Sequence, residues 1–145
     1  MPLVEETIEI SGAPEKLFPI ISDFERYPDI MENVTAVNIL EKGEGYTISE
    51  WITNVDGRVI RWVEKDYIKP LENRVDFELV KGDLKTFNGY WQLEESGDTT
   101  KVIFSIQFEL GIPMFSAMVH PILARKLREN MKQMLSDMKH KIENQ

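Results

Sequence analysis

The sequence predicts an α+β fold: a curved antiparallel sheet of about six or seven strands, two short helices, and one long C-terminal helix enclosing a hydrophobic cavity. Three observations carry this expectation. From Val34 onward, alternating apolar segments are joined by turns of two to five residues, the pattern of an antiparallel meander. A Gly-x-Trp strand (Gly89, Tyr90, Trp91) passes through the turn at Ser96-Gly97-Asp98 into a second alternating strand with Val102, Phe104, Ile106 and Phe108. Gly111-Ile112-Pro113 then interrupts the chain before one amphipathic helix that runs nearly to the end. A sheet that hands over to a single long helix suits the binding of a greasy small molecule between the two.

Taken in order, residues 4 to 10 put Val4, Glu6, Ile8 and Ile10 on one face of a strand. Ser11 to Glu15 reads as a turn into a helix, because Pro14 suits the first helical position and Glu15 the positive end of the helix dipole. Leu17, Phe18, Ile20 and Ile21 form its apolar side. A second short helix covers Phe24 to Met31, interrupted at Tyr27-Pro28. Strands follow at 34–40, 46–54 and 58–67, the last two joined as a hairpin through Val55-Asp56-Gly57. After the loop at Lys69 to Asn73, Arg74 to Val80 alternates, with Val75, Phe77 and Leu79 on one face. Lys81-Gly82-Asp83 leads into the strand 84–95. The final helix carries Met118, Leu123, Leu127, Met131, Met134, Leu135, Met138 and Ile142 at three- and four-residue spacing. Such a stripe is either core facing the sheet or, being rich in flexible methionine, a surface that adapts to a ligand.

Length and composition fit one domain over residues 1–145, able to bury a real core. The net charge of −8 opposes nucleic-acid binding. No apolar run reaches bilayer-spanning length, so no membrane insertion is expected. With zero cysteines there is no disulfide, thiolate metal site or cysteine nucleophile. The first residues lack the basic and apolar regions of a signal peptide, and a cytoplasmic location is expected. From Arg125 onward six basic residues face three acidic ones, which leaves −11 to the rest of the chain. That basic strip is either a solvated face over an acidic sheet or a docking strip for an acidic partner.

No metal is expected. His120 and His140 are separated by twenty residues of one helix, about 30 Å. His120, just before Pro121, lies where the helix approaches a cavity mouth. Phosphate loops, nucleophile elbows and nucleotide fingerprints are absent. The hairpin holds the candidate chemistry. On its second strand Arg58, Ile60, Trp62, Glu64 and Asp66 share one face. A buried Trp62 carries Glu64, with Asp66, toward the interior or its rim. There a carboxylate without a cation has a raised pKa and serves as acid or base, whereas a rim carboxylate pairs with Arg58 or Lys85. A two-residue turn at Asp56-Gly57 sets Trp51 opposite Trp62 and a three-residue turn sets Glu50 there, so the sequence leaves the register open. Asn88 and Asn130 are further candidates, since a mid-helix asparagine facing the sheet needs a polar partner. Phe87, Trp91, Phe115 and Met31 complete the expected ligand-binding set.

Taken together, the chain resembles the START-like polyketide cyclase/dehydrase superfamily, the helix-grip domains. The resemblance rests on Ala13-Pro14-Glu15-x-x-Phe18, Asp23 through Tyr27-Pro28, Gly57-Arg58-Val59 with Trp62-Val63, Gly82, Gly89-x-Trp91, Thr100-x-Val102 and Phe108-Glu109-Leu110. Around Gly-Arg-Val-x-x-Trp-Val it is most similar to bacterial polyketide aromatase/cyclases. Those proteins need no cofactor. They take a poly-β-ketone, often from an acyl carrier protein, and promote aldol ring closure and loss of water. The resemblance thus implies a hydrophobic or polyketide ligand, with an acyl carrier protein as a partner. Their strand pattern is Trp-x-Ser-x-Arg; here the same offsets give Trp62, Glu64 and Asp66. A tyrosine of those enzymes falls on Val34, while Asn130 matches an asparagine of their last helix. Cyclase chemistry would then require Glu64 or Asp66 as base and Arg58 or a water to steady the enolate. The alternative from a different class is a non-catalytic carrier of a lipid, quinone or aromatic product.

Overall fold

The computed structural model describes residues 3–55, 57–109 and 116–144, with the side chains of 55, 116–121 and 123 outside that description. Seven strands form one sheet: β1 (Leu3–Ser11), β2 (Val34–Gly43), β3 (Tyr46–Val55), β4 (Arg58–Lys69), β5 (Arg74–Gly82), β6 (Thr86–Ser96) and β7 (Thr99–Glu109). Their order is β1-β7-β6-β5-β4-β3-β2, and every neighbouring pair is antiparallel. Six strands follow one another as a meander, and only β1 pairs across the chain. The strands fall where alternation and turn residues predict them.

Between β1 and β2 the chain forms α1 (Pro14–Ile21), a 3₁₀ turn over Phe24–Arg26 and α2 (Tyr27–Ile30). Pro28 starts this last helix instead of interrupting one, because its missing N–H falls where no intrahelical bond is made. Leu17, Phe18, Ile21, Phe24 and Tyr27 are buried against the inner face of the sheet, and the Tyr27 hydroxyl donates to the Ile21 carbonyl. The long helix α3 (Ser116–Glu143) lies along β1. Met131, Leu135, Met138 and Ile142 form its buried stripe. Its basic face is anchored to β1: Arg128 reaches Glu6 at 3.0 Å and the Lys139 amine donates to the Glu9 carbonyl at 2.7 Å.

Curvature has local causes. Bulges interrupt β2 twice, and a third leaves Val80 of β5 as the extra residue opposite Val63 and Glu64 of β4. Gly89 allows β6 and β7 to approach so closely that a Cβ there would lie 1.8 Å from the Ser105 carbonyl oxygen. The hairpin takes the two-residue turn: Val55 pairs with Arg58, and Trp51 stands opposite Trp62.

Candidate ligand cavity and its buried acid pair

A cavity of about 560 Å³ lies between the concave face of the sheet and α3. Strand alternation supplies its aromatic walls. Trp51 and Trp62 stack with centroids 5.9 Å apart and planes 3° from parallel. Phe87 leans on Trp62 at 4.9 Å, and Trp91 stacks on Phe104 at 3.9 Å. Phe24 and Tyr27 support Trp51 from behind. The helix contributes Leu127, Asn130, Met131 and Met134. Arg58, Val59, Asp83, Leu84, Ile122 and Lys126 also line the cavity, and Val59 and Ile122 are exposed apolar residues, which marks this end as the mouth.

Glu64 faces the cavity and is 4% exposed; Asp66, next on the same face of β4, is 0% exposed. The Trp62 Nε1–H donates to Glu64 Oε1 at 2.7 Å. From β3, Ser49 Oγ and Thr47 Oγ1 donate to Asp66 Oδ2 at 2.6 and 2.9 Å, and the Trp51 Nε1–H donates to Ser49 Oγ at 2.8 Å. Both indoles of the stacked wall are therefore tied to the same two carboxyl groups.

Burial pushes the Glu64 carboxyl well above the usual carboxylate range, and the charge of Asp66 and a hydrogen bond to it push the same way. Burial also raises Asp66, but its hydrogen bonds from Glu64, Ser49 and Thr47 oppose that rise. The favoured arrangement is one proton on Glu64, donated to an ionised Asp66. Asp66 Oδ1 is buried with no other partner among the described residues.

Among the expected site residues, Trp51, Trp62, Glu64, Phe87, Trp91, Asn130 and Arg58 all line the cavity. Arg58 and Glu64 are not brought together, however. Six residues of strand, about 20 Å of backbone, separate them. Asp66 stands behind Glu64 and outside the lining. Glu50 points to the other face of the sheet, where Asn38 donates to it at 3.0 Å, because the two-residue turn brings Trp51 inward instead. Asn88 alternates outward from Phe87, onto a separate slot of about 390 Å³ at the β5–β6 seam with Tyr67, Glu78 and Lys85. Met31 is fully buried core and does not line the cavity. Phe115 lies outside the described residues, as does the His120 side chain. No grouping of side chains suited to a metal occurs among the described residues.

Sequence reasoning missed Asn33, Thr53, Ser49 and Thr47. Three of these sit with Trp51 on one face of β3 as Thr47-x-Ser49-x-Trp51-x-Thr53, a signal readable once the two-residue turn is chosen. Asn33 belongs to the turn before β2 and carries no comparable signal.

A meander curved around one long helix, with an aromatic cavity between them, defines a START-like helix-grip protein. The chain belongs to the family described as polyketide cyclase / dehydrase and lipid transport, whose model matches residues 10–135. It is similar to the actinorhodin polyketide synthase bifunctional cyclase/dehydratase of Streptomyces coelicolor, 27% identical over 107 residues. That match covers 72% of this chain and 34% of the relative, so the chain spans about a third of that protein's length. It is also similar to the ribosome association toxin RatA of Pseudomonas aeruginosa, 22% identical over 75% of this chain and 76% of that one. A START superfamily protein from Mycobacterium smegmatis superposes with a TM-score of 0.85 at 20% identity, covering 98% of this chain and 97% of the other. Among the described residues no helix is long and apolar enough to cross a membrane.

Proposed function

We propose that this protein is a cofactor-independent cyclase/dehydratase that folds a poly-β-ketone against the indole wall and moves protons through Glu64. The observation that carries this reading is a carboxyl group, buried beside Trp62 and facing an apolar cavity, whose burial raises its pKa. Its raised pKa suits acid and base work near neutral pH. The pair holds one proton and accepts a second. A methylene proton between two ketones passes to Glu64 as Glu64's own proton passes to Asp66. The enolate carbon then forms a bond to a second ketone carbon, and the resulting alkoxide takes a proton back from Glu64. Loss of a further methylene proton to the pair, with departure of the hydroxyl protonated by Glu64, releases one water and leaves the double bond. The cyclase/dehydratase relative supports this reading.

A specific contact favours a second reading, the non-catalytic carrier. Trp62 Nε1 occupies one Glu64 oxygen and Asp66 engages the carboxyl as well, an arrangement that would equally serve to lock the wall of a binding cavity. Glu64→Gln separates the two. In a reconstituted minimal polyketide synthase that supplies a linear poly-β-ketone, the variant is expected to lose ring formation about a hundredfold or more while still binding aromatic product. Unchanged cyclised yield would reject Glu64 as the proton carrier.

Delivery by an acidic acyl carrier protein belongs to the same proposal. Arg128 and Lys132 are already engaged by Glu6, which leaves the exposed Arg125 as the contact to test. Arg125→Glu is expected to slow turnover of carrier-bound substrate but not of a free analogue; equal slowing of both would exclude the contact.

A further inference from the structure

The sheet parts along the seam between β5 and β6. β5 stays paired with β4 as far as Gly82, and β6 is paired with β7 from Thr86 onward. Between β5 and β6 themselves the ladder runs only from Arg74–Gln92 to Glu78–Asn88. In that register Leu79 and Phe87 would form the next pair, and they do not. The bulge that leaves Val80 as an extra residue falls at the same point; a bulge bends its strand and can end its pairing. The slot of about 390 Å³ occupies the parting, with Leu79 on one side and Thr86 and Asn88 on the other. Among the described residues only Phe77 and Phe87 line both this slot and the ligand cavity. Their rings touch, with centroids 5.7 Å apart, so the partition between outer face and cavity is two rings. Phe77 is paired on both sides, with Asp66 and Gly89. Phe87 is paired only with Phe108, and its β5 side is free. Leu79 stands opposite Glu64, so the seam begins one strand away from the buried acid.

We infer that this seam is a side port of the cavity, closed by Phe87, through which a flat aromatic ligand passes edge-on. This rests on the proposed use of the cavity and adds a second route into it. The unpaired stretch of β5 from Leu79 to Gly82 spans about 13 Å, long enough for a ring system standing on edge. Elsewhere in the sheet a passage would have to break ladder hydrogen bonds. Among the described residues none joins 79–82 to 84–87, so displacing the Phe87 ring costs packing alone. A port changes how fast a ligand exchanges and not how tightly it is held, because the free and bound states are the same whichever way the ligand travels.

The test plugs the slot reversibly. The chain has no cysteine, so Asn88→Cys places a single thiol on the slot wall. A bulky alicyclic methanethiosulfonate attached there fills the slot, and reductant removes it. Exchange of 2-ethylanthraquinone is followed by stopped-flow quenching of tryptophan fluorescence. The label is expected to lower the association and dissociation rate constants together, about fivefold or more, with affinity held within about twofold. Reductant should restore both rates in the same sample. The same label on Lys101→Cys, an exposed position of β7 away from the slot, should change neither. Rates unmoved by the label at Asn88, or slowed equally from Lys101, overturn the port alone. So does a weaker affinity through faster dissociation, which would make the slot part of the binding site. Failure of wild type to bind the probe overturns the port together with the cavity reading beneath it.

Discussion

Trp62 and Glu64 stand two residues apart on the inner face of β4, and the indole N–H of the first donates to the carboxyl of the second at 2.7 Å. The neighbouring indole, Trp51, reaches Asp66 through Ser49, so the flat wall of the cavity and its acid pair form one hydrogen-bonded unit. A ring held at both its face and its N–H has little freedom to turn. The wall is therefore organised before any ligand arrives, which lowers the ordering cost of binding.

The acid pair makes stability depend on pH in a stated direction. Glu64 has a folded-state pKa raised well above its ordinary 4.5, so the folded protein holds its proton more tightly than the unfolded chain. Its contribution is fully present below about pH 4.5 and is lost as pH rises through the raised folded value. Glu64→Gln mimics the neutral acid and removes that loss. The melting temperature of the variant should gain on wild type steadily as pH is raised from 4.5 to 9. Parallel curves would show that Glu64 is not held neutral.

Ser49 joins the two halves of this unit and is fully buried. Ser49→Ala removes the donor to Asp66 and the acceptor of the Trp51 N–H together. Chemical denaturation should report a loss of about 1–3 kcal/mol, since a buried N–H is left unmatched. The Asp66 pKa should rise further, because one of the hydrogen bonds that stabilise its charged form is gone. A loss no larger than that of an exposed Thr→Ala change would mean that Ser49 plays no linking part.

The outline of the fold was legible because its signals are local: alternation, turn residues and one continuous helix stripe. The face carrying Trp62, Glu64 and Asp66 was equally readable, since a strand fixes faces by parity. What the sequence left open was the hairpin register, which turned on whether the turn held two residues or three. Nor did it show how far Arg58 stands from Glu64, because β4 runs for 12 residues and the two lie six apart along it. Asn33 was invisible for another reason: it sits in the turn before β2, and its place in the cavity lining depends on residues distant in sequence, which no pattern of residue types records.

Gly89 is required by backbone geometry. A Cβ at this position meets the Ser105 carbonyl oxygen at 1.8 Å and the Ile106 Cα at 3.0 Å, both parts of the neighbouring strand. No side chain can move aside to relieve the contact, so β6 and β7 must separate. Gly89→Ala is expected to cost roughly 3 kcal/mol or more in equilibrium unfolding. Gly45→Ala is a useful contrast: it meets nothing within 4 Å, and its positive φ of 77° leaves only the smaller strain of a turn. Equal losses at both positions would show that turn strain, not strand approach, dominates at Gly89.

Methionines of α3 divide into two kinds that truncation should separate. Met138 is fully buried and does not line the cavity, whereas Met134 is half-buried and does. Met138→Ala leaves a void in the core and should cost about 2–5 kcal/mol of stability with little change in ligand affinity. Met134→Ala removes a side chain already facing open space, so its stability cost should be about 1 kcal/mol. It enlarges the cavity instead, and should shift preference toward bulkier aromatic probes. Thermal unfolding, with a size series of anthraquinones titrated into each variant, measures both effects. A large stability loss at Met134 with unchanged size preference would assign that side chain to the core and take it out of ligand selection.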